Sequence, residues 1–564
     1  MMTTGYDRSN CPLPKKGIQS LIADALRDNW ELAAFTDYKG ATLMFRDVAL
    51  KIARLHILFK ETGIKPGDRV AICGRNSSSW AVACLAAMSY KAVVVPILHE
   101  FKPDNIHNIV NHSEARLLFA AKHIWDHLDP EAMTSVEGVL SLENFNTFLS
   151  RSKALDNVQE NLDGLFSRQY PDGFTSDNVE FTDADPESLA MINYTSGSTG
   201  FSKGVMLPCR SLVNNRLLAA RAMYSFQAGY EVLSILPMAH MYGFSFEFFY
   251  EFSVGCHIYF LTRLPSPKVI FQALGEIRPR LIVSVPLVIE KIIRKNVMPK
   301  LEKPSMKLLL KLPVVGGIIR RKIGRELVEA FGGRFFQVII GGAAFSHEIE
   351  QFLASVHFPY TVGYGATECG PIITYQDKDS FVPGSCGVPA PNMEVKILSS
   401  DPQNIAGEIV CKGPNVMLGY YRNDELTAKT IDSDGWLHTG DLGVFDAQGN
   451  LFIKGRSKNM LLGPSGQNIY PEEIEDLLGN MYLVCESLVI QENDKLVALV
   501  FPDYDEARKQ GLHEDGIAGI MEQNRRQLNS SLPAYEQIAE IRIRDEEFEK
   551  TPKKSIKRYL YQKQ

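Results

Sequence analysis

Two apolar runs, Arg69-Val70-Ala71-Ile72-Cys73 and Ala92-Val93-Val94-Val95-Pro96-Ile97, flank a helix-like stretch from Ser78 to Tyr90. A strand that is apolar on both faces must be covered on both, and its alternation with helices points to layered sheets with helices above and below. The fold class expected is α/β. At 564 residues the chain exceeds what one hydrophobic core supports. After Arg456 the pattern shifts to short mixed elements, such as Lys495-Leu496-Val497-Ala498-Leu499-Val500-Phe501 and Ala539-Glu540-Ile541-Arg542-Ile543. The expected organisation is a large region of several subdomains over residues 1–456 and a small α+β domain over residues 457–564.

The richest chemistry lies in Tyr194-Thr195-Ser196-Gly197-Ser198-Thr199-Gly200-Phe201-Ser202-Lys203-Gly204, directly after the strand-like Leu189-Ala190-Met191-Ile192. Glycines let the backbone approach an anion, exposed amides and hydroxyls donate, and Lys203 supplies a point charge. This composition reads as a phosphate-handling loop. The spacing is not that of a Walker loop, which needs glycine, four residues and then Gly-Lys-Ser/Thr, and no helix signal opens at Lys203. A Ser/Gly linker is the plain alternative, disfavoured by the lysine and the strand-like entry.

The segment resembles the phosphate loop of the adenylate-forming enzymes, the superfamily of acyl-CoA synthetases, luciferases and peptide-synthetase adenylation domains, with Ser202 where proline is usual. Further motifs follow in that family's order: Leu236-Pro237-Met238-Ala239-His240-Met241-Tyr242-Gly243, Ile339-Ile340-Gly341-Gly342-Ala343-Ala344, Tyr364-Gly365-Ala366-Thr367-Glu368, Trp436-Leu437-His438-Thr439-Gly440-Asp441, Lys454-Gly455-Arg456-Ser457-Lys458, and Asn468-Ile469-Tyr470-Pro471 before Glu472 and Glu475. The resemblance implies that Thr195, Ser196, Gly197, Ser198, Thr199, Gly200 and Lys203 hold ATP phosphates. It implies that Gly341, Gly342 and Ala343 border the adenine, on which Tyr364 stacks beside Gly365. Thr367 and Glu368 are then expected at the α-phosphate, with Glu368 as the Mg²⁺ ligand, and Asp441 and Arg456 at the ribose. His240, Tyr242 and Gly243 are expected at the acyl pocket.

Each residue type suits its implied role. A carboxylate such as Glu368 is a hard ligand for a Mg²⁺ that bridges phosphates and needs few protein donors. Asp441 can accept from both ribose hydroxyls, and Arg456 can donate to the same nucleotide. Taken singly, Tyr364 reads equally well as core, Glu368 as a solvated loop charge and Asp441 as a turn residue.

The implied reaction activates a carboxylic acid with ATP and Mg²⁺ to an acyl adenylate, then transfers the acyl group to the thiol of CoA. Transfer to a carrier protein is the alternative acceptor. One position departs from the family pattern: in Thr551-Pro552-Lys553-Lys554-Ser555-Ile556-Lys557-Arg558, Ser555 stands where the adenylation lysine is usual. Lys554 is the favoured substitute after a one-residue slip, with Lys553 and Lys557 still open, and a binder with weak catalysis is the further alternative. Lys458 matches the hinge about which the family's small domain turns.

Net charge of −6 and a pI near 6.1 argue against a nucleic-acid binder. The nine cysteines form no metal-like cluster and read as buried hydrophobes. The N-terminus lacks the apolar core of a signal peptide and no apolar run is long enough to span a bilayer, so a cytoplasmic enzyme is expected. Tyr242, Phe244, Phe246, Phe248, Phe249 and Tyr250 could line an acyl tunnel, but such spacing reads first as core. With no amino-acid-anchoring aspartate after His240, a free acyl-CoA synthetase is expected rather than a peptide-synthetase module; the Lys-rich ends and the Lys458 hinge resemble those of fatty-acyl-CoA ligases, which implies a medium- or long-chain fatty acid as substrate. Between Lys291 and Arg325, eleven Lys/Arg accompany one acidic residue, Glu302, around Leu308-Leu309-Leu310 and Val314-Val315. The preferred reading is a helical insertion whose leucines fold inward; the other is peripheral contact with the inner face of a membrane.

Overall fold

The computed structural model describes residues 15–195, 203–223, 226–262, 266–301, 303–463, 467–493, 495–550 and 556–562. Its main sheet has eight strands in the order Gly419–Tyr420, Lys203–Pro208, Leu189–Thr195, Val93–Ile97, Arg69–Cys73, Leu117–Ala120, Gly138–Ser141 and Thr147–Ser150. The five inner strands from Leu189–Thr195 to Gly138–Ser141 run parallel, and antiparallel strands close both ends. Both expected apolar strands are therefore central. The intervening helix, Ser78–Ser89, is buried at every residue except Ser79. It shows no amphipathic stripe because it is packed on all sides.

A second layer is built from Glu231–Ser234, His257–Phe260, Ala33–Asp37 and Thr42–Met44, and a third from the parallel strands Leu281–Ser284, Gln337–Ile340 and Tyr360–Val362. The two meet where the Arg280 amide donates to the Glu231 carbonyl at 2.9 Å. The aromatic run beyond His240 is core, as its spacing suggested. Phe244, Phe246, Phe248, Phe249 and Tyr250 are all buried, and Phe248 packs edge-on against Trp80 with ring centroids 6.2 Å apart. A π-helical turn, Ser245–Phe249, widens this helix.

Glu251 follows the π turn, fully buried, with no hydrogen-bond partner among the described residues on either carboxylate oxygen. Burial pushes its carboxyl from the ordinary 4.5 up to about 8. The native state then holds a proton that the unfolded chain releases, so this contribution to stability is whole below about pH 4.5 and is lost as the pH rises toward 8. Replacing Glu251 by glutamine removes the ionisation. Melting curves from about pH 5 to 8 are expected to show the wild type losing roughly 3 kcal/mol more than the variant.

The four-stranded sheet Glu394–Leu398, Gly407–Lys412, Leu437–Phe445 and Leu451–Arg456 ends the large region. Lys458 lies exposed in the short turn Ser457–Asn459 that follows. Beyond it, Val484–Glu492 and Lys495–Pro502 pair antiparallel, Ile538–Ile543 joins them in parallel, and helices Pro471–Gly479 and Glu514–Ser531 complete a small α+β unit with its own core. Its contacts with the large region include polar ones: Ser346 donates to Asn480 at 2.8 Å, the His347 amide to Asp476 at 3.3 Å, and Lys454 pairs with Glu473 at 2.9 Å.

Two expectations need correction. The leucines of the basic insertion do not fold inward: Leu308 and Leu309 are exposed on helix Pro304–Lys311, which forms a hairpin with Pro313–Ala330, because among the described residues no element packs over them. Among the described cysteines six are buried, but Cys386 is only half-buried and Cys485 is exposed. No described helix is long and apolar enough to cross a membrane.

Candidate active site

Strands Leu189–Thr195 and Lys203–Pro208 form an antiparallel hairpin in which Thr195 pairs with Lys203. The two residues bracket the phosphate loop; Ser196, Gly197, Ser198, Thr199 and Gly200 lie outside the described residues. Strand pairing places the half-buried Lys203 beside the edge strand Gly419–Tyr420, with its ammonium 5.5 Å from the centre of the Tyr420 ring. The Tyr420 hydroxyl donates to Glu368 Oε1 at 2.8 Å. One tyrosine thus links the loop lysine to the carboxylate expected at the metal. Burial, with the Glu368 charge nearby, pushes the Tyr420 phenol well above its usual range, so it stays a donor.

Glu368 sits in a single turn, Thr367–Cys369, with Thr367 buried beneath it. That turn is fixed from two sides. Asn215 donates to the Cys369 carbonyl at 3.2 Å and accepts from the Ile372 amide at 3.1 Å, while the Met417 amide donates to the Glu368 carbonyl at 2.9 Å. The Glu368 side chain stays half-exposed. Among the described residues no group of three or more His, Cys, Asp or Glu side chains could hold a metal. A single hard carboxylate, with one oxygen oriented by Tyr420, suits a Mg²⁺ that takes its other ligands from phosphates and water.

Asp441 and Arg456 pair directly across strands Leu437–Phe445 and Leu451–Arg456, with Arg456 Nε 3.1 Å from Asp441 Oδ1. Tyr364 donates to Asp441 Oδ2 at 2.7 Å. Burial pushes the Asp441 carboxyl up, while the Arg456 charge and the Tyr364 hydroxyl pull it down; the Glu368 charge adds to the upward push. Glu368 is therefore close enough for its charge to act on Asp441. Tyr364, expected as a stacking face, is buried and also orients the carboxylate; Gly365 beside it is exposed.

The glycine turn comes next. Strand Gln337–Ile340 runs into Gly341, where a Cβ would stand 3.3 Å from both the Gly363 carbonyl and the Tyr242 ring, and into Gly342, which holds a left-handed φ of +87° that favours glycine. Gly342 and Ala343 form an exposed lip. Tyr242, expected at the acyl pocket, is buried and donates to the Ile339 carbonyl at 3.0 Å, which ties the acyl segment to the glycine turn. Gly243 is needed for close approach, since a Cβ there would lie 2.6 Å from the Pro237 carbonyl. His240 is half-exposed and its Nδ1 accepts from the Tyr242 amide at 3.3 Å. The structure thus connects His240, Tyr242, the glycine turn, Tyr364, Asp441 and Arg456 in one chain of contacts, and Lys203, Tyr420 and Glu368 in a second.

At the C-terminus, Lys553, Lys554 and Ser555 lie outside the described residues. The flanking residues Lys550 and Ile556 pair in an isolated bridge. Lys557 is engaged by Glu549 at 3.2 Å and Arg558 by Glu475, both within the small unit. Burial pushes the Glu475 carboxyl up to about 7, even with the Arg558 charge opposing it. Tyr420 had escaped the sequence reading. A tyrosine after Gly419 carries little signal until strand pairing sets it beside Lys203.

A sequence profile described as "AMP-binding enzyme" matches residues 23–421, which include Lys203, Glu368 and Tyr420. The chain belongs to this family. This AMP-binding enzyme is 28% identical over 485 residues to the long chain acyl-CoA synthetase 6, peroxisomal, of Arabidopsis thaliana, covering 81% of this chain and 68% of the relative. It is 25% identical over 491 residues to the long-chain-fatty-acid–CoA ligase of Bacillus subtilis, covering 83% and 81%. Among solved structures, the anthranilate CoA ligase AuaEII bound to anthranoyl-AMP superposes with a TM-score of 0.76 at 18% identity over 98% of both chains. An ATP-bound RpMatB-BxBclM chimera superposes at 0.75 and 21% identity, covering 97% of this chain and 98% of the other. The fold of the AMP-binding enzyme is thus shared with these structures over 97–98% of its length.

If Tyr420 positions the metal carboxylate, changing it to phenylalanine keeps the ring beside Lys203 and removes only the donor. The expected result is about a tenfold higher Mg²⁺ concentration for half-maximal rate, with kcat at saturating Mg²⁺ changed much less. A Mg²⁺ titration of both proteins checks it.

Proposed function

We propose that this enzyme is an acid–CoA ligase that uses ATP and Mg²⁺ and acts on medium- or long-chain fatty acids. The observation that carries the reading is a pair of contact chains, Lys203–Tyr420–Glu368 beside the Leu189–Thr195/Lys203–Pro208 hairpin and Tyr364–Asp441–Arg456, near enough for the Glu368 charge to act on Asp441. Together they offer a cation, a carboxylate for a metal and a ribose acceptor, which is what a nucleoside triphosphate requires. The names of the relatives support the fatty-acyl substrate.

In the first step a carboxylate oxygen of the acid attacks the α-phosphorus and the bond to pyrophosphate breaks, giving acyl-AMP. In the second, the CoA thiolate attacks the acyl carbon, the carbon–oxygen bond to AMP breaks and the thioester forms. Neither step needs a nucleophilic side chain. Lys203 and the loop amides hold the leaving phosphates, Asp441 and Arg456 fix the ribose, and Thr367 donates toward the α-phosphate, so that alignment and preset charge do most of the work. Bound at Glu368, Mg²⁺ supplies charge neutralisation on the phosphate oxygens. The small unit, turning about Lys458, offers one face to adenylation and another to the thiol. Its docking through scattered polar contacts such as Ser346–Asn480 fits an interface that reopens.

Incubation with MgATP, CoA and a panel of acids from acetate to stearate plus benzoate, read by mass spectrometry, tests this. Fatty acyl-CoA as the product is expected. Acyl-AMP without thioester points to a carrier-protein acceptor, and neither product points to a nucleotide binder disabled at Ser555.

A further inference from the structure

The insertion between Lys291 and Arg325 forms a helical hairpin with an unusual surface. Six large apolar side chains, Leu308, Leu309, Leu312, Val314, Val315 and Ile318, are exposed within its eleven-residue tip. Leu308 is 67% exposed, Val314 75% and Ile318 61%, and none of the six enters a hydrophobic core of the described residues. Patches of this kind mark interaction sites on otherwise polar surfaces.

The hairpin is held at its base and closed at its tip. Helix Pro313–Ala330 sends Leu327 into the core around strands Leu281–Ser284 and Gln337–Ile340, and Gly324 lies so close to the Val356 carbonyl that a Cβ would collide with it. Near the tip a Cβ on Gly316 would stand 2.5 Å from the Leu310 carbonyl, so the two helices touch backbone to backbone. The apolar tip therefore projects with a defined orientation.

Charge identifies the occupant. Val314, Ile318, Arg321, Lys322 and Arg325 fall at helical spacing on one face, apolar toward the tip and cationic behind it. At 1.5 Å per residue the cations stand about 5 to 15 Å behind the apolar side chains. Lys303, Lys311 and Arg320 are also exposed, and Glu326 approaches Lys322 only to 3.9 Å. An apolar tip with a cationic collar at this depth matches a lipid interface, where side chains enter about 5–10 Å and cations meet headgroup phosphates.

We propose that this hairpin docks the enzyme on an anionic lipid bilayer, with Leu308, Val314 and Ile318 entering the interface and Lys311, Arg321 and Arg325 on the headgroups. The surface stands whichever acid the active site takes, and is tested without acid or nucleotide. Flotation with phosphatidylcholine vesicles is compared with flotation on equal parts phosphatidylcholine and phosphatidylglycerol. The full chain is expected to float with the anionic vesicles and to be released by salt. Lys311→Gln/Arg321→Gln/Arg325→Gln is expected to partition about 100-fold less, at roughly fivefold per charge, and Val314→Asp/Ile318→Asp to lose flotation. Unchanged melting curves show that both variants fold; if one does not, single Lys311→Gln and the salt series on the wild type take its place. Equal flotation of all proteins overturns the proposal. So does a wild type that ignores vesicles but dimerises by light scattering through this tip, which would assign the face to a second copy of the chain.

Discussion

Replacing Asp441 by alanine is expected to lower kcat/KM for ATP about 10³-fold. In the proposed site the carboxylate accepts from both ribose hydroxyls, and a charge-assisted hydrogen bond contributes roughly 1.5–3 kcal/mol, so losing two costs about 4 kcal/mol. The loss also strands the Tyr364 hydroxyl, which donates to Asp441 at 2.7 Å, and frees Arg456. Asp441→Asn keeps one acceptor and should fall between wild type and alanine. Because burial pushes the Asp441 carboxyl up, kcat/KM for ATP should fall on the acid side at a higher pH than an ordinary aspartate would give, and this limb should vanish in the asparagine variant. Steady-state kinetics with ATP varied across pH measures both effects. An alanine variant within a few-fold of wild type would remove Asp441 from the nucleotide site.

The second large effect separates the two half-reactions. Lys554→Ala is expected to slow acyl-AMP formation about 10²- to 10³-fold, the usual result of removing one preset donor from a developing anion. Conversion of supplied acyl-AMP and CoA to thioester should stay near the wild-type rate, because in the proposed rotation the small unit presents a different face in that step. Lys557→Ala should change neither half-reaction much, since Lys557 is already engaged by Glu549. If Lys554→Ala leaves adenylation intact and Lys553→Ala does not, the neighbouring lysine has the role. Single-turnover measurements of each half-reaction decide among the three.

Most of the architecture was legible before any coordinates. Apolar strands around the helix Ser78–Ser89 announced a covered parallel sheet, because a strand without a polar face has only one stable environment. The ordered motifs singled out Lys203, Glu368, Asp441 and Arg456, which the structure joins to Tyr420 and Tyr364 in two chains of contacts. The lining of the site was less visible. Tyr420 lies 217 positions beyond Lys203 in the chain and meets it only through strand pairing. Tyr242 and Tyr364 could be placed near the site, but nothing local showed that their hydroxyls hold Ile339 and Asp441. The leucines around Leu308 were misjudged for the same reason: apolar spacing marks a face but does not show whether another element covers it.

The sequence by itself determined the α/β class, the composition of the loop between Thr195 and Lys203, the order of the family's motifs and the concentration of positive charge between Lys291 and Arg325, since these depend on residue type and spacing along one segment. Only the tertiary structure decided that Tyr420 links Lys203 to Glu368, that Glu251 is buried with no partner among the described residues, and that the apolar tip of the basic hairpin faces solvent. Each of those is set by which distant segments meet, and a side chain's hydrogen-bond partner, protonation and exposure follow from that meeting.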